Sequence, residues 1–250
     1  MKKLAILLFL LVSFSTLAQN TNDLFSNANS LYKEGNYDEA IKLYKQIESQ
    51  NIASSELYYN LGNCYYKLNK VAPTIYNYEK ALQLNPLNED AKNNLILAKR
   101  LTLDRIEALP KSVFQKFNEN YLQKLTYNAW AIVTVVISFI ASILFLLFYF
   151  AYSPNKKRLY FSTSIISFLL LIISITITYS QYSQSKNTVE AIIFTEEISI
   201  KNEPISDSDD VFSLHEGTKV FILDSVDNWK KIKLADGKIG WTQSKNLKEL

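Results

Sequence analysis

Hydrophobic positions change their period along this chain. From residue 21 to about residue 100 they recur every three or four residues, which is the spacing of helices with one apolar face. Two long runs without charge follow, residues 129–152 and 159–180. From Asn187 onward apolar and polar residues alternate, as in Ile198 and Ile200, or in Ile232 and Leu234 between Lys231 and Lys233, and that period predicts strands. The pattern therefore predicts a helical module, an apolar α-hairpin and a strand-rich module, in that order.

The two apolar runs predict membrane crossings. Each is long enough for the hydrocarbon layer, which needs roughly 20 residues at about 1.5 Å per residue. Tyr127, Trp130, Tyr149 and Tyr152 flank the first run, and Tyr160 and Tyr179 flank the second. Aromatic side chains with one polar end favour the headgroup zone. A buried hairpin in a soluble core is the competing reading, but two uncharged runs of this length argue against it. The loop 153–158 carries Lys156, Lys157 and Arg158. Short basic loops stay in the cytoplasm, so both flanking modules are expected outside it. Neither span contains Asp, Glu, Lys, Arg or His. A proton or ion pathway through the membrane normally needs one, which argues against transport. Thr134, Ser138 and Ser142, with Ser164, Ser167, Ser174 and Thr178, suit close helix contact.

Residues 1–18 read as a signal peptide. Lys2 and Lys3 precede an apolar stretch from Leu4 to Val12, and Thr16-Leu17-Ala18 offers small residues for cleavage before Gln19. An uncleaved anchor is the alternative and gives the same orientation. No cysteine follows Ala18, which argues against a lipid anchor there.

The helical module, residues 21–110, repeats itself at an offset of 34. Leu24 pairs with Tyr58, Ala28 with Gly62, Leu31 with Tyr65, Ala40 with Thr74, Tyr44 with Tyr78 and Ile47 with Ala81. Leu61-Gly62-x-x-Tyr65, then Tyr78-x-x-Ala81 and Pro86, resemble the signature of the tetratricopeptide repeat, whose period is 34. The first copy has Gly35-Asn36-Tyr37 at its inter-helix turn, and Pro73 suits the first turn of a helix in the second. A third helix over 88–99 would cover the open end of the stack. In that family the first helix of each repeat supplies the concave face. The resemblance then puts Phe25, Asn29, Tyr32, Lys33, Tyr59, Asn60, Asn63, Tyr66 and Lys67 there as partner-binding candidates. One subfamily grips a terminal carboxylate with two asparagines and three basic residues. Asn29 and Asn60 match it, but Phe25, Asp90 and Asn94 stand at the basic positions. Those departures argue against such a clamp.

Residues 111–128 form a juxtamembrane segment after Pro110. Val113, Phe114, Phe117, Tyr121 and Leu125 recur at helical spacing. Two readings are open: a helix lying on the membrane, or one packed on the repeats.

The strand module, residues 188–250, predicts five short strands in a small barrel, with Asp236-Gly237 as a hairpin turn. Ile200-Lys201-Asn202-Glu203-Pro204, Leu214-His215-Glu216-Gly217-Thr218-Lys219-Val220, Asp227-Asn228-Trp229 and Gly240-Trp241 resemble a bacterial SH3-like domain, with Ile-Lys where Val-Arg is usual. Such domains bind peptides or cell-wall polymer in an aromatic-edged groove. That nominates Trp229 and Trp241, with barrel core as their alternative role. His215 is expected at the surface, and Asp207, Asp209 and Asp210 in a solvated loop, with calcium binding the alternative that the missing Gly-spaced ligand loop argues against.

Composition narrows the function. The net charge of +3 is small, and both signs are interleaved outside the apolar runs, which argues against a nucleic-acid-binding face. One cysteine, Cys64, and one histidine supply neither a disulfide framework nor the usual zinc ligand sets. Cys64 has no base near it in sequence and reads as a packed small residue. Nucleophile–base pairs, phosphate loops and metal clusters are not recognisable in the sequence, so no enzyme, cofactor or metal is expected. The module order resembles the BatE-like family of the Bacteroides-type aerotolerance operon. That resemblance implies partners among the other Bat membrane proteins, with von Willebrand factor A or repeat domains, and a link to a MoxR-type ATPase. The expected function is a non-enzymatic scaffold in the bacterial inner membrane with both modules periplasmic. The alternative is a cell-wall sensor or tether acting through the SH3-like domain.

Overall fold

A computed structural model describes residues 21–250. The signal-peptide reading of residues 1–18 lies outside the described residues. Five helices form the first unit: α1 over 21–33, α2 Tyr37–Ser49, α3 Ser55–Lys67, α4 Val71–Leu84 and α5 Glu89–Lys99. They pair as two helical hairpins and a terminal helix. The turn between α1 and α2 is made at Gly35, whose φ of 84° suits a residue without Cβ. Ser54 and Asn88 cap α3 and α5 through their side chains. Ala28, Ala40, Gly62 and Ala81 are buried where helices touch, between Tyr44, Leu57, Leu61 and Tyr78.

After α5 an irregular strap, residues 100–112, leads to α6 (Val113–Asn120), a short 3-10 turn and two long helices. These are α7 (Tyr127–Phe150) and α8 (Pro154–Asn187), and both are long and apolar enough to cross a membrane. Their side chains, such as Ile132, Phe139, Ile143, Phe168 and Leu169, are largely uncovered, unlike those of a soluble core helix. Of the small polar residues, Thr134 and Thr178 hydrogen-bond across the pair at 3.0 Å, and Ser167 and Ser174 are buried. Ser138 and Ser142 instead return their hydroxyls to their own helix. The basic segment is not an extended loop. Pro154 opens α8, and Lys156, Lys157 and Arg158 occupy its first turns, because proline is pre-shaped for a helix start. The far end of α8 also runs past the apolar stretch, where Gln181 bonds Asn118 of α6 and Tyr182 packs on Tyr127.

The C-terminal unit is one antiparallel sheet of seven strands, where the alternation predicts five. They are β1 (Val189–Ile193), β2 (Glu197–Lys201), β3 (Asp210–His215), β4 (Lys219–Val226), β5 (Trp229–Lys233), β6 (Ile239–Gln243) and β7 (Leu247–Glu249). Their order is β3-β2-β6-β5-β4-β1-β7, and the outer strands β3 and β7 do not pair with each other, so the sheet is open. β1 escapes an alternation test because it is covered on both faces. Ala191 and Ile193 enter the sheet core with Ile200, Val220 and Ile232, while Ile192 enters a second core with Ala72, Ile75 and Tyr76 of α4. Strand β7, of three residues, is too short to show a period.

The sheet is thus docked on the repeats. Gly217, with φ of 85°, lies so close to Thr102, Ile75 and Val71 that a Cβ would come within 3.0 Å of each. Glu79 of α4 is buried and meets Lys99 at 2.8 Å and Lys219 of β4 at 2.9 Å, and Lys219 also meets Glu190 at 2.8 Å. Burial pushes the Glu79 carboxyl up, but the two ammonium groups outweigh it and the net shift is down. The strap joins as well. Asp104 accepts from the backbone N–H of His215 at 2.7 Å and from the Thr218 hydroxyl, and its second oxygen lies 2.7 Å from His215 Nδ1. His215 is therefore tied to the strap rather than left at the surface. Ile106 packs on the sheet core, and the Leu109 N–H donates to the Ala235 carbonyl.

This docking carries a pH dependence. The hydrogen bond to Asp104 raises His215 above its usual 6.5, with the Asp104 and Glu197 charges adding to it against some burial. Burial alone would raise Asp104, but its bonds from Thr218 and His215 lower it below 3.8. The His215 contribution is full below about 6.5 and fades as pH rises through the raised value. The Asp104 contribution is present above about 3.8 and fades as pH falls through the lowered value. Amide exchange in the strap 100–110 and in β3, corrected for intrinsic rate, is expected to lose protection between pH 6 and pH 9. His215→Gln should flatten that loss; equal protection across this range in the native protein would refute the coupling.

Candidate functional site

The concave side of the helical unit holds a cavity of about 240 Å³, lined by Tyr32, Tyr59, Asn63, Tyr66, Lys67, Tyr78, Asn94 and Leu97. It is built by a hydrogen-bonded triad that recurs at the repeat period. In the first copy, Asn29 Oδ1 accepts from the Tyr44 hydroxyl at 2.6 Å and from Asn60 Nδ2 at 3.1 Å. In the second, Asn63 Oδ1 accepts from the Tyr78 hydroxyl at 2.7 Å and from Asn94 Nδ2 at 2.9 Å. Each member is displaced by 34 residues, as 63 − 29, 78 − 44 and 94 − 60 show. Each triad ties the second helix of a repeat, and the first helix of the next, to one asparagine.

The triads fix the polarity of the groove. An amide oxygen has two lone pairs, and both are taken in Asn29 and in Asn63. Their NH₂ groups remain as donors. Burial pushes the Tyr44 and Tyr78 hydroxyls up, so they stay protonated and keep donating into the triad. Lys67 adds a cation at the rim, and Tyr32, Tyr59 and Tyr66 add rings with hydroxyl tips. A lining of donors and half-buried aromatic faces suits an extended polypeptide, whose carbonyls accept and whose apolar side chains stack.

The expected site residues fall into three groups. Tyr32, Tyr59, Asn63 and Tyr66 line one cavity. Phe25 packs edge-on against Tyr44, with ring centroids 5.7 Å apart, and Asn29 serves the first triad. Trp229 and Trp241 lie far along the chain on neighbouring strands, where Trp229 pairs with Gln243 and Lys231 with Trp241. That register puts Trp229, Lys231 and Trp241 on the face opposite Ile232, which points into the sheet core. Trp241 is largely covered, with the Lys231 ammonium 5.7 Å from its ring centre. Tyr78, Asn94 and Leu97 were not among the sequence candidates. For Tyr78 and Asn94 the signal was available, since they stand 34 residues after Tyr44 and Asn60. Asn94, at a position where a carboxylate clamp has a basic residue, is bonded to Asn63 instead.

Residues 55–88 match the tetratricopeptide repeat family, and this is the second helical hairpin together with the residue that caps α5. No curated protein matches the chain.

Gly62 shapes this site from behind. A Cβ there would meet the Tyr78 ring at 2.5 Å, and Tyr78 is fixed by burial and by Asn63. Gly62→Ala is therefore expected to destabilise the helical unit by about 1 to 3 kcal/mol through overpacking, despite alanine's better helix propensity. Denaturant unfolding of the full chain in detergent, followed by far-ultraviolet circular dichroism, checks this. A midpoint unchanged from that of the native sequence would show that Tyr78 does not fill this space.

Proposed function

We propose that this protein is a non-enzymatic scaffold anchored in the bacterial inner membrane by α7 and α8. In this reading the repeat groove takes an extended segment of a partner membrane protein, on the periplasmic side. The observation that carries it is the doubled Asn–Tyr–Asn triad, which leaves amide donors beside the half-buried rings of Tyr32, Tyr59 and Tyr66 on one concave surface. The general use of tetratricopeptide repeats in protein–protein contact supports it, as do two helices of membrane-crossing length. The basic first turns of α8 support a cytoplasmic location for the connection between them. The likeness in module order to the BatE-like family supports partners of the Bat type, with a MoxR-type ATPase in the same stress-related assembly. The SH3-like reading of this unit rests on its sequence motifs, since the sheet is open and not the five-stranded barrel expected. The half-buried Trp229 and Lys231, on the face opposite the sheet core, favour a second reading, a cell-wall tether gripping polymer through that face.

Topology is tested by fusions after Asn93 and after Leu250. Alkaline phosphatase is expected to be active at both, and a cytoplasmic fluorescent reporter dark at both. Fluorescence at either site would overturn the orientation.

Partner binding is tested by pull-down from crosslinked membranes. Truncating two groove tyrosines, Tyr59→Ala with Tyr66→Ala, is expected to cost about 2 kcal/mol or more, roughly 30-fold in affinity. The partner should be lost while circular dichroism is unchanged. Trp229→Ala should leave it bound. If the tyrosine variant keeps the partner and Trp229→Ala releases it, or releases cell-wall polymer instead, the sheet is the binding unit.

A further inference from the structure

α6 is a helix whose apolar face the described residues leave uncovered. Val113 and Phe114 are 81% and 87% exposed, and Phe117 and Tyr121 are 52% and 62% exposed. One of the two sequence readings, packing on the repeats, is therefore not what the structure shows. The helix is nevertheless begun deliberately. Ser112 Oγ accepts from the Gln115 N–H at 3.3 Å, and Gln115 Oε1 accepts from the Ser112 N–H at 2.8 Å, which is a complete capping box. Eight residues are too few to hold a helix in water on propensity alone, where about 12 to 15 are marginal. A helix this short needs an apolar surface on its open face.

Its surroundings indicate which surface. Asn118, about a quarter-turn round the helix from the apolar stripe, bonds Gln181 at 2.9 Å and Gln184 at 3.5 Å on α8. Gln181 directly follows the uncharged run 159–180. The Trp130 indole N–H donates to the Leu122 carbonyl at 2.8 Å, and Tyr127 packs on Tyr182 at 5.7 Å. These are aromatic groups of the type that mark the headgroup zone. Lys116 and Lys124 flank the apolar stripe, as suits a helix lying among phosphates, while Lys111 pairs with Glu119 at 2.7 Å. Like the sides of α7 and α8, this face is left uncovered by the described residues, and α6 is tied to the end of the apolar run by Asn118.

We infer that α6 lies flat in the headgroup layer of the periplasmic leaflet, with Val113, Phe114, Phe117 and Tyr121 turned into the acyl boundary. Such helices sink about 5 to 10 Å into that layer. The occupant of this face is lipid, not a second copy or a partner protein. The inference rests on the membrane hairpin proposed above.

Single cysteines test it in phosphatidylcholine–phosphatidylglycerol vesicles containing lipid spin-labelled near the headgroup or deep in the chain. The native thiol of Cys64 is buried and pushed up to about 12 by that burial, so an environment-sensitive fluorophore should attach to the introduced site. Full-length chains carry Phe114→Cys, Lys116→Cys or Ile140→Cys. At 114 we expect blue-shifted emission, quenching by the shallow spin label and shielding from aqueous iodide; at 116, the reverse. At 140, in mid-α7, the deep label should quench. Iodide access at 114 overturns the inference, and so does shielding at 114 without lipid quenching, which means a protein covers the face. Loss of deep quenching at 140 overturns the hairpin, and the inference with it. Quenching at 140 with an open 114 refutes the interfacial helix alone.

Discussion

A carboxylate buried on helix α4 constrains much of this structure. Glu79 keeps its charge in the interior because two ammonium groups reach it, one from α5 and one from the sheet. Removing one partner from a buried charge network commonly costs about 3 to 5 kcal/mol, since the remaining charge stays desolvated. Lys219 is bound to the same terms. Burial lowers its affinity for a proton, and Glu79 and Glu190 more than restore it. Apart, the helical unit would keep the Glu79–Lys99 pair and the sheet the Lys219–Glu190 pair, and docking joins the two through Glu79 and Lys219. The two units are separate in sequence but share one electrostatic interior.

The remaining architecture follows from that contact. The chain leaves the repeats at α5, runs across the sheet as the strap held by Asp104, Ile106 and Leu109, passes through α6 and the apolar hairpin, and returns as β1. The hairpin is thus an insertion between the strap and β1, which both belong to the docked helical and sheet units. The groove lined by Tyr59 and Tyr66 belongs to this docked body. On the sheet side, only Thr188 separates that body from α8.

Much of this was legible in the sequence because it is periodic. The 34-residue offset locates the helical hairpins, the uncharged runs locate α7 and α8, and alternation locates most of the sheet. The same offset also contains the triads, because Tyr44 and Tyr78 are repeat equivalents. What periodicity does not carry is pairing across distance. Glu79, Asp104, His215 and Lys219 each look like ordinary solvated residues in a single sequence. Their partners lie on other elements, more than a hundred residues away in the case of Asp104 and His215. One trace of the docking was present: Ala191-Ile192-Ile193 is a continuous apolar run, the mark of a strand covered on both sides. The extension of α8 was hidden for a related reason, since residues 181–187 are polar and become helical through α6 and the strand that follows.

α8 runs unbroken for 34 residues, which at about 1.5 Å each is about 51 Å, and a single residue, Thr188, separates it from β1. That makes it a lever with a short, stiff joint. If the hairpin changed its tilt by about 10°, well inside the range membrane helices adopt, the far end of a rod of this length would swing through about 9 Å. A flexible tether would absorb such a motion. Here the sheet is hinged directly on the rod and the repeats are locked to the sheet, so in the proposed membrane setting a rearrangement of the two helices would be delivered as displacement of the groove.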